Sequence, residues 1–273
     1  MTADPAGVGR TCAVLGSPIA HSLSPALHRS AYAHLGLDWD YQRHEVVAAE
    51  LAGFVAGCGP DWRGLSLTMP LKEAALELGE VDELARLAGA SNTLIFADGV
   101  RRLYNTDVGG LVNALTAGGV AAERATIIGS GATARSTLVS LARLGVAEVT
   151  VVARTPAKAA VLVPLAERLG VRARLQAWEE LVGPTDLLVS TVNAGAADDR
   201  ADELAGASAA VFDVIYHPWP TPLAQAAVTR DRVVLNGLDL LVHQALLQIE
   251  LMTGSSVPAA VLYQAGHAAL ATG

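Results

Sequence analysis

The sequence predicts an α/β protein whose strands and helices fall into two series. Short apolar runs alternate with longer segments in which apolar residues recur at helical spacing, and a second series of such units begins near residue 125. The chain has 273 residues, of which 52% are hydrophobic and 17% are charged. This length suits one large domain or two modest ones, and this composition excludes a disordered chain. Alternating strands and helices favour mainly parallel sheets.

The first series covers the amino-terminal part of the chain. Apolar runs predict strands at Thr11–Leu15, Trp39–His44, Gly64–Leu67 and Thr93–Phe96. Helical spacing predicts helices at Pro25–Leu35, Ala48–Ala56, Leu71–Leu78 and Val108–Ala117. Pro25 and Pro70 stand where a helix can begin, because the first helical position tolerates proline.

The second series follows the same alternation. Its predicted strands are Ala125–Ile128, Glu148–Val152, Leu187–Ser190, Ala210–Val214 and Arg232–Leu235. Its predicted helices are Ala132–Leu144, Pro156–Leu169 and Pro222–Val228. Two more helices, Leu238–Met252 and Pro258–Leu270, have no strand between them, so we expect them to pack on the first series. The predicted domains are therefore residues 1–107 with 237–273, and residues 108–236.

Charge and cysteine content exclude several classes of partner. The net charge is −8 and no Lys/Arg cluster occurs, so we expect no nucleic-acid partner. Cys12 and Cys58 form neither a disulfide framework nor a metal-ligand spacing, so no metal site is predicted. Residues 1–10 lack the apolar segment of a secretory signal, and no apolar run is long enough to cross a bilayer. We therefore expect a cytoplasmic protein with no membrane partner.

A glycine-rich turn connects a strand to a helix of the second series. Its residues are Gly129, Ser130, Gly131, Ala132, Thr133 and Ala134. This Gly-x-Gly-x-x-Ala pattern is typical of a dinucleotide site, in which Gly129 makes the tight turn, Gly131 lets the backbone approach the pyrophosphate and Ala134 permits close helix packing. The start of the helix then offers free N–H groups to the phosphates. An ordinary tight turn is the alternative interpretation.

The end of the next strand favours NADP over NAD. NAD sites carry an acidic residue about 20 positions after the turn, which hydrogen-bonds the ribose 2′-OH. Here the strand ends in Ala153, Arg154 and Thr155, and Lys158 lies one helical turn further. A guanidinium and an ammonium suit the dianionic 2′-phosphate of NADP. A solvated basic helix start is the alternative, although basic residues are unfavourable there without a nearby anion.

Polar residues also mark strand ends in the first series, where open α/β sheets bind ligands. Ser22 and Ser24 stand beside a predicted helix start, so they are candidates for clamping a carboxylate, and helix capping by Ser24 is the alternative. Lys72 follows the third strand, and Asn92 and Asp107 stand at later strand or loop ends. An exposed lysine in a first helical turn and a helix N-cap at Asp107 are the simpler interpretations of those two residues.

Taken in order along the chain, these motifs resemble those of the shikimate dehydrogenases. The similar segments are Gly16–Pro25, Thr68–Lys72, Gly89–Leu94, Asn105–Asp107, Gly129–Arg135, Arg154–Thr155, Tyr216, Thr221–Pro222 and Gly237–Gln244. Several of them are similar to actinobacterial members. The resemblance implies an open-sheet substrate-binding domain that includes the carboxyl-terminal helices, a Rossmann-like NADP-binding domain, and an active site in the cleft between them. It leaves monomer and homodimer open.

The resemblance also implies roles for single residues. Lys72 and Asp107 match the family's catalytic pair. The positions that match substrate binders are Ser22 and Ser24 for the carboxylate, then Thr68, Asn92, Asp107 and Gln244 for the ring hydroxyls, with Tyr216 as a further contact. The positions that match cofactor binders are Gly129, Ser130, Gly131, Ala132, Thr133, Arg154, Thr155, Lys158 and Gly237.

Of the 19 basic residues only two, Lys72 and Lys158, are lysines. The chemistry of the implied reaction explains why a lysine and not an arginine stands at position 72. Hydride reduction of a ketone leaves negative charge on the carbonyl oxygen. An ammonium can stabilise that charge and deliver the proton, which arginine does poorly because its pKa lies above about 12. Asp107 would orient Lys72 and keep it charged.

Four departures from the family pattern bear on substrate breadth and cofactor preference. Ser66 stands where many members carry Asn, Ala153 replaces the Asn of an Asn-Arg-Thr run, and Leu240 replaces a frequent Met. The segment 190–193 also differs from the usual loop. None of these changes removes a catalytic group.

The leading hypothesis is an NADP-dependent shikimate dehydrogenase that reversibly reduces 3-dehydroshikimate to shikimate in aromatic amino-acid (chorismate) biosynthesis. A quinate/shikimate dehydrogenase of broader substrate range is an alternative. A non-catalytic NADP-binding sensor is another, but such a protein should have lost Lys72 or Asp107. A purely structural interaction module has no supporting feature.

Overall fold

The computed structural model of the chain describes residues 9–272. The segment 1–8, on which most of the prediction about a secretory signal rests, lies outside the described residues. The chain divides into two compact units, the first formed by residues through Thr106 together with those from Leu241 onward, the second by Asp107–Leu240. Each unit contains a six-stranded sheet, so the predicted α/β class is confirmed.

The first unit contains a mixed sheet. Its strands are β1 (Thr11–Gly16), β2 (Asp40–Glu45), β3 (Trp62–Leu67), β4 (Glu80–Val81), β5 (Thr93–Ala97) and β6 (Val100–Tyr104), in the spatial order β2-β1-β3-β5-β6-β4. The pairs β1–β2, β1–β3 and β4–β6 are parallel, whereas β5 is antiparallel to both of its neighbours. The expectation of mainly parallel pairing is therefore wrong around β5.

A two-residue hairpin turn causes the reversal between β5 and β6. Asp98 and Gly99 have φ values of 54° and 74°, which is the backbone that a type I′ turn needs at both central positions. Strand β6 was not predicted, because Arg101 and Arg102 interrupt its apolar pattern. The Asp-Gly pair was nevertheless a readable hairpin signal.

The helices surround the two sheets. They are α1 (Ser24–Leu35), α2 (Leu51–Gly57), α3 (Leu71–Ala74), α4 (Glu83–Ala88), α5 (Thr106–Ala117), α6 (Ala132–Arg143), α7 (Pro156–Ala159), α8 (Leu162–Arg168), α9 (Ala201–Ala207), α10 (Pro222–Val228), α11 (Gly237–Thr253) and α12 (Ala259–Thr272). The divisions between the two units fall inside α5 and α11.

The two faces of the first sheet carry separate apolar cores. Leu65 and Leu67 of β3 belong to one core with residues of α2 and α3. Alternate residues of a strand point to opposite faces, and a Cβ on Gly64 would meet Met252 of α11 on the other face. That second core also contains Tyr32 and Tyr41. The carboxyl-terminal helices cover this face, with α12 packed against α1.

The second unit contains an all-parallel, doubly wound sheet. Its strands are β7 (Arg124–Ile128), β8 (Glu148–Ala153), β9 (Arg172–Ala177), β10 (Thr185–Ser190), β11 (Ser208–Asp213) and β12 (Val233–Asn236), in the order β12-β11-β10-β7-β8-β9. The direction of winding reverses between β7 and β10. In doubly wound sheets, ligands bind at such a switch point, outside the carboxyl ends of the strands.

The predicted elements of the second unit are confirmed with two exceptions. The helix predicted over 156–169 is two helices, α7 and α8, with a break after Ala159. Strand β9 and helix α9 were not predicted. The alternation of apolar residues with Arg172, Arg174 and Gln176 in β9 was a readable strand signal, although β9 is no continuous apolar run, and α9 is only seven residues long.

Within the described residues, no helix is long and apolar enough to cross a membrane.

Candidate active site

The turn after β7 requires glycine at its first position. Gly129 has a φ of 118°, which an L side chain rarely adopts, and a Cβ there would overlap Oγ1 of Thr191. Thr191 itself is fixed, because its hydroxyl donates to the carbonyl of Ile128 at 2.7 Å. The turn therefore draws the ends of β7 and β10 together at the switch point.

The second glycine leaves space beside the start of α6. Gly131 is the N-cap residue of this 12-residue helix, and a Cβ built on it would have no neighbour within 4 Å. Ala134 is fully buried. A free helix N-terminus beside open space is the arrangement that binds phosphate groups, so the observed turn fits a dinucleotide pyrophosphate.

A cavity of about 280 Å³ extends from this turn to the end of β8. The described residues that line it include Gly129, Ser130 and Gly131 on one side and Arg154, Thr155 and Lys158 on the other, and no acidic side chain is among them. The last three are exposed. Two cations without a carboxylate match the 2′-phosphate of NADP and not the ribose hydroxyl of NAD. The residues present therefore fit NADP.

The same cavity contains residues that the sequence did not single out as binders. Thr191, Asn193 and Trp178 line it, together with Ala153. The guanidinium of Arg200 lies 4.7 Å from the centroid of the Trp178 ring and so covers one face of the indole. Ala153 is 5% exposed, so the residue that replaces the family's Asn contributes a small apolar patch to the wall.

Tyr216 belongs to a second location in this unit, the loop after β11, and Gly237 begins α11 beside it. The hydroxyl of Thr221 donates to Oδ2 of Asp213 at 2.7 Å and also caps α10 through the N–H of Ala224. Burial raises the pKa of the Asp213 carboxyl above its usual value, although the Thr221 hydrogen bond lowers it. Asp213 and Thr221 thus fix both ends of the loop that carries Tyr216.

Gly237 packs directly on that loop. Its N–H donates to the carbonyl of Ile215 at 3.0 Å, and a Cβ at this position would overlap the carbonyl of Val214. The close approach of the two backbones therefore accounts for glycine here. Neither Gly237 nor Tyr216 is among the described residues that line the 280 Å³ cavity.

In the first unit, Ser22 and Ser24 lie at the start of α1. The alternative interpretation of Ser24 as an N-cap is wrong: Leu23 is the N-cap residue and Ser24 is the first residue of the helix. The Ser24 N–H donates to Oγ of Ser22 at 3.4 Å, so the Ser22 hydroxyl is held beside the helix start. Ser24 itself is 5% exposed.

Thr68 and Lys72 lie in the turn after β3. The N–H of Thr68 donates to the carbonyl of Leu15, and the carbonyl of Thr68 accepts from Leu71 at the start of α3. Lys72 is half-buried, and its carbonyl accepts from the N–H of Ser91 at 2.7 Å. The Lys72 turn is therefore tied to the segment that carries Asn92.

Asn92 and Gln244 meet inside the first unit. Nδ2 of Asn92 donates to Oε1 of Gln244 at 3.2 Å and to Oγ1 of Thr106 at 2.9 Å. Oδ1 of Asn92 accepts from the N–H of Thr106 at 2.7 Å. All three residues are buried, at 3% to 6% exposure. The predicted ring-hydroxyl binders Asn92 and Gln244 therefore form one hydrogen-bonded group.

Asp107 follows Thr106 directly and is 6% exposed. It lies in the first turn of α5, which begins at Thr106, so the interpretation of Asp107 as an N-cap is wrong. Asp107 is therefore the next residue after Thr106, whose N–H donates to Asn92.

Among the described residues, no group of three or more potential ligands could hold a metal ion. The fold and the residues described above define a dinucleotide-binding α/β protein. Its second unit contains an NADP-type cavity, and its first unit contains the buried, hydrogen-bonded residues Asn92, Thr106 and Gln244.

Comparison with known proteins gives the family. Family models match three successive parts of the chain: the shikimate dehydrogenase substrate binding domain over residues 14–94, shikimate / quinate 5-dehydrogenase over residues 113–210, and the shikimate 5′-dehydrogenase C-terminal domain over residues 237–265. A shikimate dehydrogenase (NADP(+)) of Methanothermobacter thermautotrophicus is 34% identical over 92% of this chain and 94% of its own.

Solved structures of shikimate dehydrogenases are also similar to this chain. The shikimate dehydrogenase of Mycobacterium tuberculosis is 44% identical, with a TM-score of 0.89 over 95% of this chain and 99% of that chain. That of Thermus thermophilus in complex with NADP(H) and shikimate is 33% identical, with a TM-score of 0.84 over 95% of this chain and 99% of that chain. The chain belongs to the shikimate dehydrogenase family.

Proposed function

We propose that this protein is an NADP-dependent shikimate dehydrogenase, an oxidoreductase that reversibly reduces 3-dehydroshikimate to shikimate in aromatic amino-acid biosynthesis. The observation that carries the proposal is the cavity beside Gly129 and Gly131, whose described lining has Arg154 and Lys158 but no acidic side chain. Family membership over nearly the whole chain supports the substrate, as does the complex of the Thermus thermophilus relative with NADP(H) and shikimate.

The second unit holds the cofactor in this proposal. The backbone of Gly129–Thr133 binds the pyrophosphate at the start of α6, while Arg154, Thr155 and Lys158 bind the 2′-phosphate. Gly237 contacts the nicotinamide end. When bound, NADPH supplies the hydride that reaches the carbonyl carbon of the substrate.

Most of the proposed substrate residues belong to the first unit, and Tyr216 belongs to the second. Ser22 and Ser24 bind the substrate carboxylate, since hydroxyl donors beside a helix start favour an anion. Thr68, Asn92 and Gln244 bind the ring hydroxyls, and Tyr216 adds a further contact. Because Asn92 and Gln244 are buried and hydrogen-bonded to each other, they present fixed polar groups to a ligand.

Lys72 and Asp107 carry the proton step. During reduction, the ammonium of Lys72 stabilises the negative charge that develops on the carbonyl oxygen and then gives it a proton, so that the ketone becomes a secondary alcohol. Asp107 orients Lys72, and in the oxidative direction Lys72 takes the same proton back. We also propose that the enzyme acts in the cytoplasm, as a monomer or a homodimer.

Initial rates with shikimate and with quinate, each with NADP and with NAD, test the proposal. We expect NADPH absorbance to rise with shikimate and NADP, and to rise far more slowly in the other three combinations. Comparable turnover of quinate would favour the broader quinate/shikimate activity, which the description of one matching family model also includes. No turnover in any combination would contradict the assignment.

A further inference from the structure

Gln248, a residue without a role in the proposal above, lies at the centre of a buried hydrogen-bond network in the first unit. It is 1% exposed and belongs to α11, four residues after Gln244. Residues four apart share one face of a helix and lie about 6 Å apart along its axis. Gln244, Gln248 and Met252 therefore follow one another along the face of α11 that contacts the first sheet.

The amide of Gln248 uses its whole hydrogen-bonding capacity. Its Oε1 accepts from Oγ of Ser66 at 2.8 Å and from Nε2 of His28 at 3.2 Å. Its Nε2 donates to Oγ1 of Thr93 at 2.9 Å and to the carbonyl of Asn92 at 3.2 Å. An amide has two acceptor and two donor positions, and the Asn92 carbonyl, which can only accept, requires Nε2 and not Oε1 to face it.

With the amide in this orientation, the hydroxyl groups around it donate in a consistent order. Tyr41 donates to Ser66 at 2.6 Å, and Ser66 gives its single hydroxyl proton to Gln248. Gln248 donates to Thr93, and Thr93 gives its own hydroxyl proton to Oδ1 of Asn92 at 3.0 Å. The donors therefore run in one direction, from Tyr41 through Gln248 to Asn92.

The end of this chain is a proposed substrate residue. Oδ1 of Asn92 accepts from the hydroxyl of Thr93 and from the N–H of Thr106, and it lies 3.1 Å from Oγ1 of Thr106. With the oxygen held by these donors, Nδ2 donates to Thr106 Oγ1 and Gln244 Oε1. Gln248 consequently influences the orientation of both Asn92 and Gln244.

A merely space-filling role does not account for an amide at this position. A buried amide is costly unless every polar atom is paired, and an apolar side chain would fill the same space without that cost. The neighbours on α11, Leu247 and Ile249, are apolar. What an apolar side chain would lose is the ordered donation to Thr93 and to Asn92.

We propose that Gln248 is a positioning residue for substrate binding, which sets the orientation of Asn92 and Gln244 through Thr93. The inference rests on the proposed function, because it takes shikimate as the ligand of those residues.

The variant Gln248→Met tests this, since methionine has a similar shape and cannot replace the hydrogen bonds. We expect the Kd for shikimate, measured by calorimetry, and the KM for shikimate each to rise about tenfold. The kcat should stay within about threefold of wild type, because the lost interaction is equally strong in the ground state and the transition state. The Kd for NADP should stay within about twofold. If Gln248→Met does not fold, Gln248→Glu keeps the acceptor for Ser66 and His28 while removing the amide donors, and should raise the same two constants.

Two controls separate positioning from general destabilisation. Gln176 is buried at 4% exposure in the second unit and donates to the carbonyls of Glu180 and Leu181, so Gln176→Met makes the same chemical change elsewhere. It should lower stability and leave the Kd for shikimate unchanged. Thr93→Val should weaken shikimate binding on its own but add little to Gln248→Met, because both changes interrupt one path.

An unchanged Kd for shikimate in a folded Gln248 variant would overturn the inference, as would an equal loss in Gln176→Met or full additivity with Thr93→Val. If wild-type protein neither binds shikimate nor turns it over, the proposed function fails instead. Wild-type activity with unaffected Gln248 variants would count against this inference alone.

Discussion

Lys72 shows why lysine and arginine, although both are cations, differ in their ability to transfer a proton. Arginine carries the same charge as lysine, and it outnumbers lysine heavily in this chain. An ammonium, however, can release and recover a proton during a reaction, whereas a guanidinium with a pKa above about 12 does so poorly. The half-buried position of Lys72, in a turn tied to the Asn92 segment, fits a group that must meet a substrate oxygen.

Lys72→Ala should therefore lower kcat by about a hundredfold or more, the usual range for loss of a positioned acid, while the Kd for NADP stays within about twofold. Stopped-flow or steady-state rates and cofactor titration measure the two constants. Lys72→Arg should also be strongly impaired. Lys158→Ala, the change at the other lysine, should do the opposite and weaken NADP binding with little effect on kcat. Near-normal turnover by Lys72→Ala would contradict the assigned role.

His28 shows how burial controls a single protonation state. It is fully buried, stacks on Tyr41 at 4.1 Å and leaves Nδ1 without a hydrogen-bond partner. Burial lowers its pKa from 6.5 to about 3, although the Gln248 hydrogen bond raises it. Burial also raises the pKa of Tyr32 and of Tyr41, so both neighbours stay neutral. The folded protein consequently holds His28 neutral under conditions in which the unfolded chain protonates it.

A lowered folded-state pKa contributes stability that is present above the unfolded pKa of 6.5 and is lost as the pH falls towards 3. From about pH 7.5 to about pH 5, this amounts to a loss of about 2 kcal/mol in the free energy of unfolding. In His28→Phe the corresponding loss should be about 2 kcal/mol smaller, as measured by urea unfolding at both pH values.

His34, exposed in the last turn of the same helix, provides the matched control. His34→Phe should keep the wild-type pH dependence of unfolding. If His28→Phe also keeps it, the buried neutral state assigned to His28 is wrong.

At the scale of single elements, the end of β8 carries the residues that we propose select the cofactor. The strand places Arg154 at its end, on the cavity that begins at Gly129, and α7 follows immediately with Lys158. The sequence predicted this arrangement because the interval between turn and strand end is nearly constant in doubly wound sheets. The basic side chains are exposed, so their charges matter chiefly when an anion is close to them.

Arg154→Asp should reverse the local charge at this strand end. We expect kcat/KM for NADP to fall by about tenfold to a hundredfold, the range for a lost charge-assisted hydrogen bond, while kcat/KM for NAD falls little or rises. Rates with both cofactors at fixed shikimate measure the change. Arg168→Asp, at an exposed position in the last turn of α8 and away from the cavity, should leave the ratio unaltered. Equal losses for both cofactors would contradict the placement of the 2′-phosphate.

Element by element, local patterns predicted most of the second unit and less of the first. Parallel strands buried on both faces are continuous apolar runs, such as Ala125–Ile128, and are easy to recognise. Strand β6 carries two arginines and β4 has only two residues, so neither gives such a run. The reversal at Asp98–Gly99 follows from backbone conformation and was readable only as a turn signal.

At the scale of the whole molecule, two units with separate sheets carry the two groups of proposed binding residues. Most of the proposed substrate residues, Ser22, Ser24, Thr68, Asn92 and Gln244, belong to the first unit. The proposed cofactor residues of the Gly129 turn, Arg154 and Lys158 belong to the second, together with Asp107 and Tyr216. Each ligand should therefore stabilise its own unit most strongly, because binding to the native state suppresses the local opening of the segments that it contacts.

Hydrogen exchange measures this directly. Shikimate alone should slow amide exchange most in the first unit, around Asn92 and α11, and NADP alone should slow it most in the second unit, around the Gly129 turn and the end of β8. Buffer without ligand and an inert sugar acid of similar charge are the references. The largest NADP protection in the first unit would contradict the division of roles.

The sequence by itself determined the class of the fold, the turn at Gly129–Thr133, the basic strand end at Arg154 and the family to which Lys72 and Asp107 point. Each of these features can be read in a short stretch of sequence, or as short stretches in a fixed order, because it depends on backbone conformation, apolar periodicity or charge at a regular interval. Tertiary structure alone decided the antiparallel pairing of β5, the packing of Gly237 on the loop that carries Tyr216, and the hydrogen-bond partners of Gln248. The partners of Gln248 come from α1, β3 and β5, more than 150 residues away in the chain, and no local pattern encodes a hydrogen bond that only packing brings within reach.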